Sequence, residues 1–236
     1  RDGLVTGVQT CALPIYVSKF LSFLQTGELY FSSLSKMNDV FEGANFSDSV
    51  KINQFYKLSN RKGYRNEFVK KVKLLKEKQK DFYACCFYST NHESKVMFDL
   101  YSSEYGVAIC FDSNKLFEQI NTFYENNLKE QFSFNYGYIN YSFKEPFGLI
   151  NFLLPDDSNP IEFNPFSKQN IHSYENEYRF IFHSTNSDQH EKLNVKIDVS
   201  SSIKRIIAHP NFYDWEIDVL KDVIKRYNYN LYLKKS

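Results

Sequence analysis

The hydrophobic and polar residues of this chain follow two spacings, and each spacing predicts its own kind of element. Apolar residues recur at helical spacing from Val17 to Leu24, just ahead of Gly27, and again from Leu116 to Ile120, where Asp112 or Ser113 caps the helix. Alternating or continuous apolar runs predict strands at 28–32, 82–88, 106–111, 132–143, 174–182, 194–199, 203–209 and 229–233. Strands outnumber helices without regular alternation, which predicts an α+β fold with a mostly antiparallel sheet.

The last helix is predicted from about Asp214 to Tyr227. Its spacing indicates an inner face made of Trp215, Val219, Leu220 and Ile224. We find no linker and no internal repeat, so residues 16–236 are expected to form a single domain.

The predicted strand at 174–182 places charged residues along one of its faces. Alternation puts Glu175, Glu177 and Arg179 on one side and aromatic side chains on the other. An edge strand that exposes its charges explains this pattern, and so does a functional site. We regard this strand as the place to look for the function.

Composition limits the classes of protein. The chain has 23 Phe and 18 Tyr residues, which supply a substantial core, and its net charge is +1, which argues against a general polyanion binder. No run of eighteen apolar residues is present, so no membrane span is expected. Cys85, Cys86 and Cys110 lie on apolar stretches and are expected to be reduced thiols of a cytoplasmic protein.

The segment Lys57–Lys80 departs from this balance and resembles an insertion. It has ten Lys or Arg residues against two Glu, with Phe68, Val72 and Leu75 as a narrow apolar stripe. An amphipathic helix with a basic outer face is expected. That face is either an ordinary solvated surface or a contact for nucleic acid.

Residues 1–15 are expected to be foreign to the domain. The stretch Val5–Ile15 is identical to an in-frame translation of a common sequencing adapter, so we set residues 1–15 aside in the fold prediction. On this interpretation Cys11 is not native and the natural N-terminus is missing.

Several segments occur in an order that resembles a widespread bacterial family, domain of unknown function 2971. The segments that carry the resemblance are Leu29–Ser33, Asn38–Asp39 with Phe41–Glu42, Cys86–Phe87, Met97–Phe98 with Tyr101, Gly106–Asp112, Tyr174–Arg179 and Ile203–Ile207. The resemblance also implies an aromatic and basic strand just before Tyr16, where the adapter-like sequence now lies. An edge of the sheet is therefore expected to be missing.

The layout of candidate site residues is also similar to that of ADP-ribosyltransferases. The similarity implies that Glu177 stabilises the oxocarbenium-like charge as nicotinamide leaves NAD, with Glu175 beside it as a second catalytic residue. The remaining candidates would bind the substrate: Tyr30, Phe31 or Tyr101 by stacking on the nicotinamide, Arg179 by pairing with a glutamate or a pyrophosphate, and Ser32, Ser33, Asn38 and Asp39 around the nucleotide. NAD is thus a possible substrate, and a small-molecule nucleotide a possible partner.

Other functions remain open. Asp39 either caps a turn while Phe41 packs, or joins Glu42, Glu175 and Glu177 in a metal site for cleaving nucleic acid. We favour the turn and predict no metal. The five histidines, His172 included, form no evident ligand set. A non-catalytic nucleotide-binding or protein-binding module is the third class. An enzyme is favoured if Glu175 and Glu177 share a cleft with Ser32, Tyr30 and the Asp39 loop.

Overall fold

The computed structural model describes residues 10–39, 41–45, 72–89, 95–102, 105–143, 162–185 and 192–236. The strands are β1 (Thr10–Tyr16), β2 (Glu28–Ser33), β3 (Ala44–Asn45), β4 (Phe82–Tyr88), β5 (Gly106–Asp112), β6 (Phe132–Tyr138), β7 (Asn140–Phe143), β8 (Glu162–Phe163), β9 (Ser167–Gln169), β10 (Glu177–Ser184), β11 (Lys192–Lys196), β12 (Ile203–Ala208) and β13 (Leu233–Lys235). The helices are α1 (Val17–Thr26), α2 (72–80), α3 (Lys95–Tyr101), α4 (Ser113–Asn127), α5 (Val199–Ser202) and α6 (Asp214–Arg226). Two 3₁₀ helices cover Leu34–Lys36 and Asn170–Glu175.

Nine strands form one sheet, and all but one of its pairings are antiparallel. The order β11-β2-β4-β1-β5-β12-β13 runs across the sheet, and β10 adds to β4 and carries β6 on its far side. Only β12 and β13 pair in parallel. The predicted α+β class with a mostly antiparallel sheet is therefore confirmed.

One face of the sheet is covered by three helices. Phe20 of α1, Leu116 of α4 and Leu220 of α6 are buried in one cluster with Phe180 and Phe182 of β10. Burying aromatic side chains of this size removes a large apolar area from water, so this layer supplies most of the hydrophobic stabilisation. This helical face is the core.

The opposite face carries shorter elements, and it is the face on which the charged side of β10 lies. Ile181 of β10 packs there against Leu34 of the first 3₁₀ helix and Ala84 of β4. Farther along the sheet, Phe98 of α3 packs on Ala108 and other strand residues of this face. Because side chains alternate along a strand, Glu177 and Arg179 share this face with Ile181.

Element predictions were accurate where the apolar pattern was strong. The strand at 82–88 has its predicted bounds, Gly27 ends α1 in the left-handed region at φ 67°, and the Asp112 carboxylate caps α4 by accepting hydrogen bonds from two backbone N–H groups. The predicted strand at 132–143 is divided into β6 and β7 at Ile139. The predicted strand at 229–233 is displaced to 233–235. Residues 57–71 of the basic segment lie outside the described residues.

The predicted inner face of the last helix was partly wrong. Leu220 and Ile224 are buried together with Ile217, whereas Trp215 is 65% exposed and Val219 is 52% exposed. Each of these two residues is two positions from Ile217, which places it roughly 200° away around the helix. The chain therefore packs the stripe through Ile217 and leaves the indole in solvent.

Residues 10–16 belong to the sheet, although the sequence analysis set most of them aside. Strand β1 pairs with β5 over its whole length and touches β4 at Ala12, so it lies inside the sheet rather than at an edge. Cys11 is buried in the main core. The fold therefore uses this stretch, and its origin as adapter sequence stays a prediction.

Two further expectations concern the whole chain. None of the four cysteines, all of which lie in the described ranges, forms a disulfide; three of them are buried and Cys86 is partly exposed. No helix among the described residues combines the length and the apolar character that crossing a membrane requires.

Candidate functional site

The charged residues of β10 are buried, in contrast to the edge-strand interpretation. Strand β10 is paired on both sides, with β4 and with β6, so it is interior. It also begins later than predicted, at Glu177, whereas Glu175 ends the preceding 3₁₀ helix. Between them Asn176 adopts a left-handed conformation at φ 37°, and its side-chain amide donates to the Ser89 carbonyl. Strict alternation therefore fails before Glu177, yet both glutamates reach the same cluster.

Lys168 of β9 joins the two glutamates. Its Nζ lies 2.5 Å from Oε2 of Glu175 and 2.6 Å from Oε1 of Glu177, and it donates a hydrogen bond to each. Glu42 is a third carboxylate, 3.6 Å from the same nitrogen. All four side chains are at most 7% exposed. Water is largely excluded here, so the electrostatic attraction between the charges of each ion pair is much stronger than at the surface, and removing one partner leaves a costly unpaired charge.

Arg179 completes the buried cluster from the strand itself. Its Nε donates to Oε2 of Glu177 at 2.6 Å, and one terminal nitrogen donates to the Pro165 carbonyl at 3.0 Å. The other terminal nitrogen lies 2.7 Å from Oε1 of Glu42. The predicted pairing of Arg179 with a glutamate is thus present, to Glu177. We define the charged cluster as Glu42, Lys168, Glu175, Glu177 and Arg179.

The environment moves the pKa values of the two β10-region glutamates in opposite directions. Burial of Glu175, together with the neighbouring carboxylate of Glu177, raises the pKa of Glu175. Burial alone would also raise the pKa of Glu177, but Arg179, Glu175 and Lys168 outweigh it and hold that pKa well below its usual range. Glu177 is therefore a fixed anion, and Glu175 is the member of the pair that keeps or takes a proton.

Lys168 remains charged in this setting. Burial disfavours its ammonium form, but the carboxylates of Glu42, Glu177 and Glu175 raise the pKa of Lys168 above its ordinary value. With Lys168 and Arg179 positive and Glu42 and Glu177 negative, the cluster is neutral when Glu175 is protonated. This charge balance explains why Glu175 is the group that accepts the proton.

One side of the charged cluster leads to solvent. His172 accepts or donates a hydrogen bond through Nδ1 at 2.9 Å from Oε1 of Glu175, and its side chain is 24% exposed. The rings of Tyr101 and Tyr174 are exposed nearby, and burial together with the Glu175 carboxyl raises the pKa of Tyr174. Burial and the same charged groups also raise the pKa of Tyr101, so both hydroxyls stay protonated. We call His172, Tyr101 and Tyr174 the mouth of the site.

The turn at residues 39–43 brings Glu42 to the cluster. Oδ1 of Asp39 accepts a hydrogen bond from the Phe41 N–H at 2.9 Å, while Phe41 packs against the small cluster of Ala44 and Leu75. Asp39 is thus a turn cap, as favoured from the sequence. Gly43, at φ 74°, donates its N–H to the Ser167 carbonyl, which fixes the turn beside β9 and Lys168.

Four predicted substrate-binding residues are not brought to the charged cluster. Ser32 pairs with Ala84 of β4, four residues along that strand from the partner of Glu177, a distance of about 13 Å at strand spacing. The Ser33 hydroxyl is used locally, donating to the Gln79 carbonyl and accepting from the Ser35 N–H. Tyr30 is half exposed beside Lys192, and Asn38 is exposed. The condition that would have favoured an enzyme, a cleft that both glutamates share with Ser32 and Tyr30, is therefore not met, although the Asp39 turn does lie beside Glu175.

Two residues of the site, Lys168 and His172, were not predicted from the sequence. Lys168 lies in a three-residue strand with no periodicity of its own, so nothing local marked it as buried. His172 was considered for a catalytic or metal-binding role but was not placed in the site. Its position three residues before Glu175 is the signal that was available, because residues three apart lie on the same side of a 3₁₀ helix.

The proposed metal set is brought together in part but is arranged as ion pairs. Glu42, Glu175 and Glu177 meet, and Asp39 approaches through His172, whose Nε2 lies 4.0 Å from Oδ2 of Asp39. Lys168 and Arg179 occupy the space between these carboxylates. Within the described ranges, no three His, Cys, Asp or Glu side chains form a group that could hold a metal ion.

Comparison with known proteins identifies one family resemblance. Residues 97–180 match the family model described as "Protein of unknown function (DUF2971)". The matched residues include Tyr101, His172, Glu175, Glu177 and Arg179, but not the turn that carries Glu42. Searches of curated proteins and of solved structures return no match.

Proposed function

We propose that this protein cleaves the N-glycosidic bond of NAD at the Glu175–Glu177 pair, transferring ADP-ribose to water or to an acceptor hydroxyl. The observation that carries the proposal is that two neighbouring carboxylates share Lys168 while only Glu177 is also held by Arg179, an arrangement that moves their pKa values in opposite directions. Glycosidic chemistry commonly assigns a fixed anion and a proton-exchanging carboxyl to separate residues.

Glu177 takes the electrostatic role. Breaking the bond between C1′ and the pyridinium nitrogen sends its electron pair to the ring, releases neutral nicotinamide and leaves positive charge on the ribose. A carboxylate held in place by Lys168 and Arg179 stabilises that charge without reorganising during the reaction.

Glu175 takes the proton-transfer role. The attacking water or acceptor hydroxyl forms its bond to C1′ and gives its proton to the ionised form of Glu175. A carboxyl group with a raised pKa is a stronger base than an ordinary glutamate, which suits it to this step.

The mouth of the site suits a planar, positively charged leaving group. Tyr101 and Tyr174 are 39% and 48% exposed, so each offers a ring face to a ligand. A pyridinium ring gains both stacking and cation–π attraction from such faces. Substrate thus approaches from the side of His172, where the charged cluster is nearest to solvent.

The decisive measurement is nicotinamide release from NAD by the wild-type protein and by E175Q. The amide reproduces the shape of a protonated Glu175 but accepts no proton, so kcat is expected to fall about 100-fold while the fold is retained. The double variant E175Q/E177Q is expected to have no measurable turnover.

The matched control is E125Q, which makes the same chemical change at an exposed position on α4. Its turnover should equal that of the wild type. Unchanged turnover in E175Q, or none in the wild-type protein, would exclude the proposed reaction.

The alternatives differ in their response to a chelator. A metal-dependent nuclease would need Glu42, Glu175 and Glu177 to bind a metal ion. In this structure the side chains of Lys168 and Arg179 form ion pairs with those carboxylates in its place. EDTA should leave NAD turnover unchanged, whereas it would abolish a metal-dependent cleavage of nucleic acid. A non-catalytic nucleotide-binding module would bind NAD without releasing nicotinamide.

A further inference from the structure

His172 connects a buried acid to solvent. Its Nδ1 lies 2.9 Å from Oε1 of Glu175, whose carboxyl group is 2% exposed. The other carboxyl oxygen, Oε2, is held by Lys168 at 2.5 Å. Oε1 is therefore the oxygen at which Glu175 exchanges its proton with the imidazole.

The far side of the imidazole faces a second carboxylate. Nε2 of His172 lies 4.0 Å from Oδ2 of Asp39. That oxygen is buried and has no hydrogen-bond partner, because the turn cap uses Oδ1 of the same side chain. An acceptor in this position favours a hydrogen on Nε2.

We propose that His172 and Glu175 form one proton-exchange unit, in which the buried acid gains and loses its proton through Nε2 of the partly exposed imidazole. In the protonated unit, Glu175 carries the hydrogen on Oε1 and donates it to Nδ1, while Nε2 carries its own hydrogen. When the unit loses a proton, Nε2–H gives it to solvent and the Oε1 hydrogen passes to Nδ1. The result is a Glu175 carboxylate beside the Nδ1–H tautomer.

Charged and titratable groups from every neighbouring element act on this unit. Asp39 in the turn favours hydrogen on Nε2, and Tyr174 packs near the ring with centroids 6.3 Å apart. Lys168 of β9 favours ionised Glu175, and Glu177 of β10 favours protonated Glu175. The Tyr101 hydroxyl of α3 lies beside Glu175 as well. The carboxylates of Asp39 and Glu177 favour the protonated unit, whereas the ammonium group of Lys168 favours the deprotonated unit. The unit itself is neutral with its proton and carries one negative charge without it.

The inference does not depend on which substrate the site takes, and it predicts a change of tautomer. The experiment records ¹⁵N spectra of the histidine rings and ¹³C spectra of the glutamate carboxyl groups in the wild-type protein over a pH series. Neutral His172 should change from the Nε2–H to the Nδ1–H tautomer in the same step in which Glu175 ionises. His209 supplies the reference signal, because its Nδ1 accepts from the Asn211 N–H and its hydrogen must lie on Nε2.

Two variants test the coupling. H172Q should remove the shared step from the Glu175 titration, whereas H183Q, at a half-buried position stacked on Phe82, should leave the Glu175 curve unchanged. D39N should move the tautomer step to lower pH, because Asn no longer favours hydrogen on Nε2.

Three results would overturn the proposal: a single His172 tautomer throughout the wild-type series, Glu175 curves that coincide in wild type and H172Q, or a D39N step that does not move. The wild-type series decides the matter even if a variant fails to fold. A coupled step in a protein that does not turn over NAD would exclude the proposed reaction and leave the proton-exchange unit standing.

Discussion

At the scale of single residues, Glu175 and Glu177 contact the same lysine, but replacing Glu177 removes a buried negative charge, whereas replacing Glu175 removes a group that is readily neutral. Glu177 is the shared anion of Lys168 and Arg179, so E177Q leaves two buried cations without their main partner. We expect E177Q to lower the free energy of unfolding by about 3–5 kcal/mol. E175Q replaces a group that is readily neutral and should change it by less than about 1 kcal/mol. Urea unfolding followed by circular dichroism measures both values, and equal losses would contradict the assignment.

The same two residues should have opposite effects on stability as pH changes. The pKa of Glu175 is raised above 4.5 in the folded state, so its contribution to stability is full below that pH and is lost as pH rises through the folded-state pKa. The pKa of Glu177 is lowered, so its contribution is full above 4.5 and is lost as pH falls. Unfolding at several pH values should show that the free energy of unfolding of E175Q rises relative to that of the wild type as pH rises. For E177Q, the deficit in the free energy of unfolding relative to the wild type should shrink as pH falls. A pH-independent difference for either variant would argue against its pKa direction.

The local pattern of the sequence predicted the charged residues themselves but not their surroundings. Alternation placed Glu177 and Arg179 on the face opposite Phe180, which is correct. The lysine between the glutamates lies only seven and nine residues before them, on a strand too short to show a periodicity, and Glu42 comes from a remote turn. The burial of Glu175 and Glu177, and the opposite shifts of their pKa values that follow from it, therefore became apparent only from the fold.

Among the elements, the turn at 39–43 controls whether Glu42 reaches the charged cluster. Gly43 has φ 74°, and a methyl group there would lie 2.7 Å from the Phe163 ring. G43A should therefore cost about 1–3 kcal/mol, through backbone strain and displacement of that ring. The control is G137A on β6, where the added carbon meets only ordinary contacts with Phe166 at 3.8 Å. Thermal unfolding measures both, and equal stability of the two variants would contradict this description of the turn.

Strong periodicity located elements well, whereas packing decided how their faces are used. Strand β4 was found at its exact bounds because its apolar run is continuous. Helix α6 has apolar residues on two of its sides. The side that contains Ile217 packs into the main core, whereas Trp215 on the other side stays exposed. A single Asn in the left-handed region also ended the 3₁₀ helix before β10 and broke a perfect alternation. Such choices depend on partners that are remote in sequence.

For the whole molecule, the order of strands could not be derived from the chain alone. Strand β10 follows β6 and β4 in sequence and inserts between them, so its charged face lies on a strand that is paired on both sides and not at the sheet edge. This placement brings the turn at 39–43 and strand β9 together above Arg179. The charged cluster is thus assembled from two parts of the chain: the turn that carries Glu42, and the continuous stretch 168–179 that runs through β9, the second 3₁₀ helix and the start of β10.

The place of β1 inside the sheet yields a prediction about the whole fold. If residues 10–16 are an integral strand, the Cys11 thiol is protected, being 1% exposed with its pKa raised by burial to about 12. A short pulse of iodoacetamide followed by peptide mass spectrometry should then label Cys11 as slowly as Cys85 and Cys110, and all three should label rapidly in urea. Cys86, which is partly exposed, serves as the internal comparison. Rapid labelling of Cys11 in a protein that still protects Cys110 would mean that β1 leaves the sheet, and the fold would then rest on β4 and β5 without the strand between them.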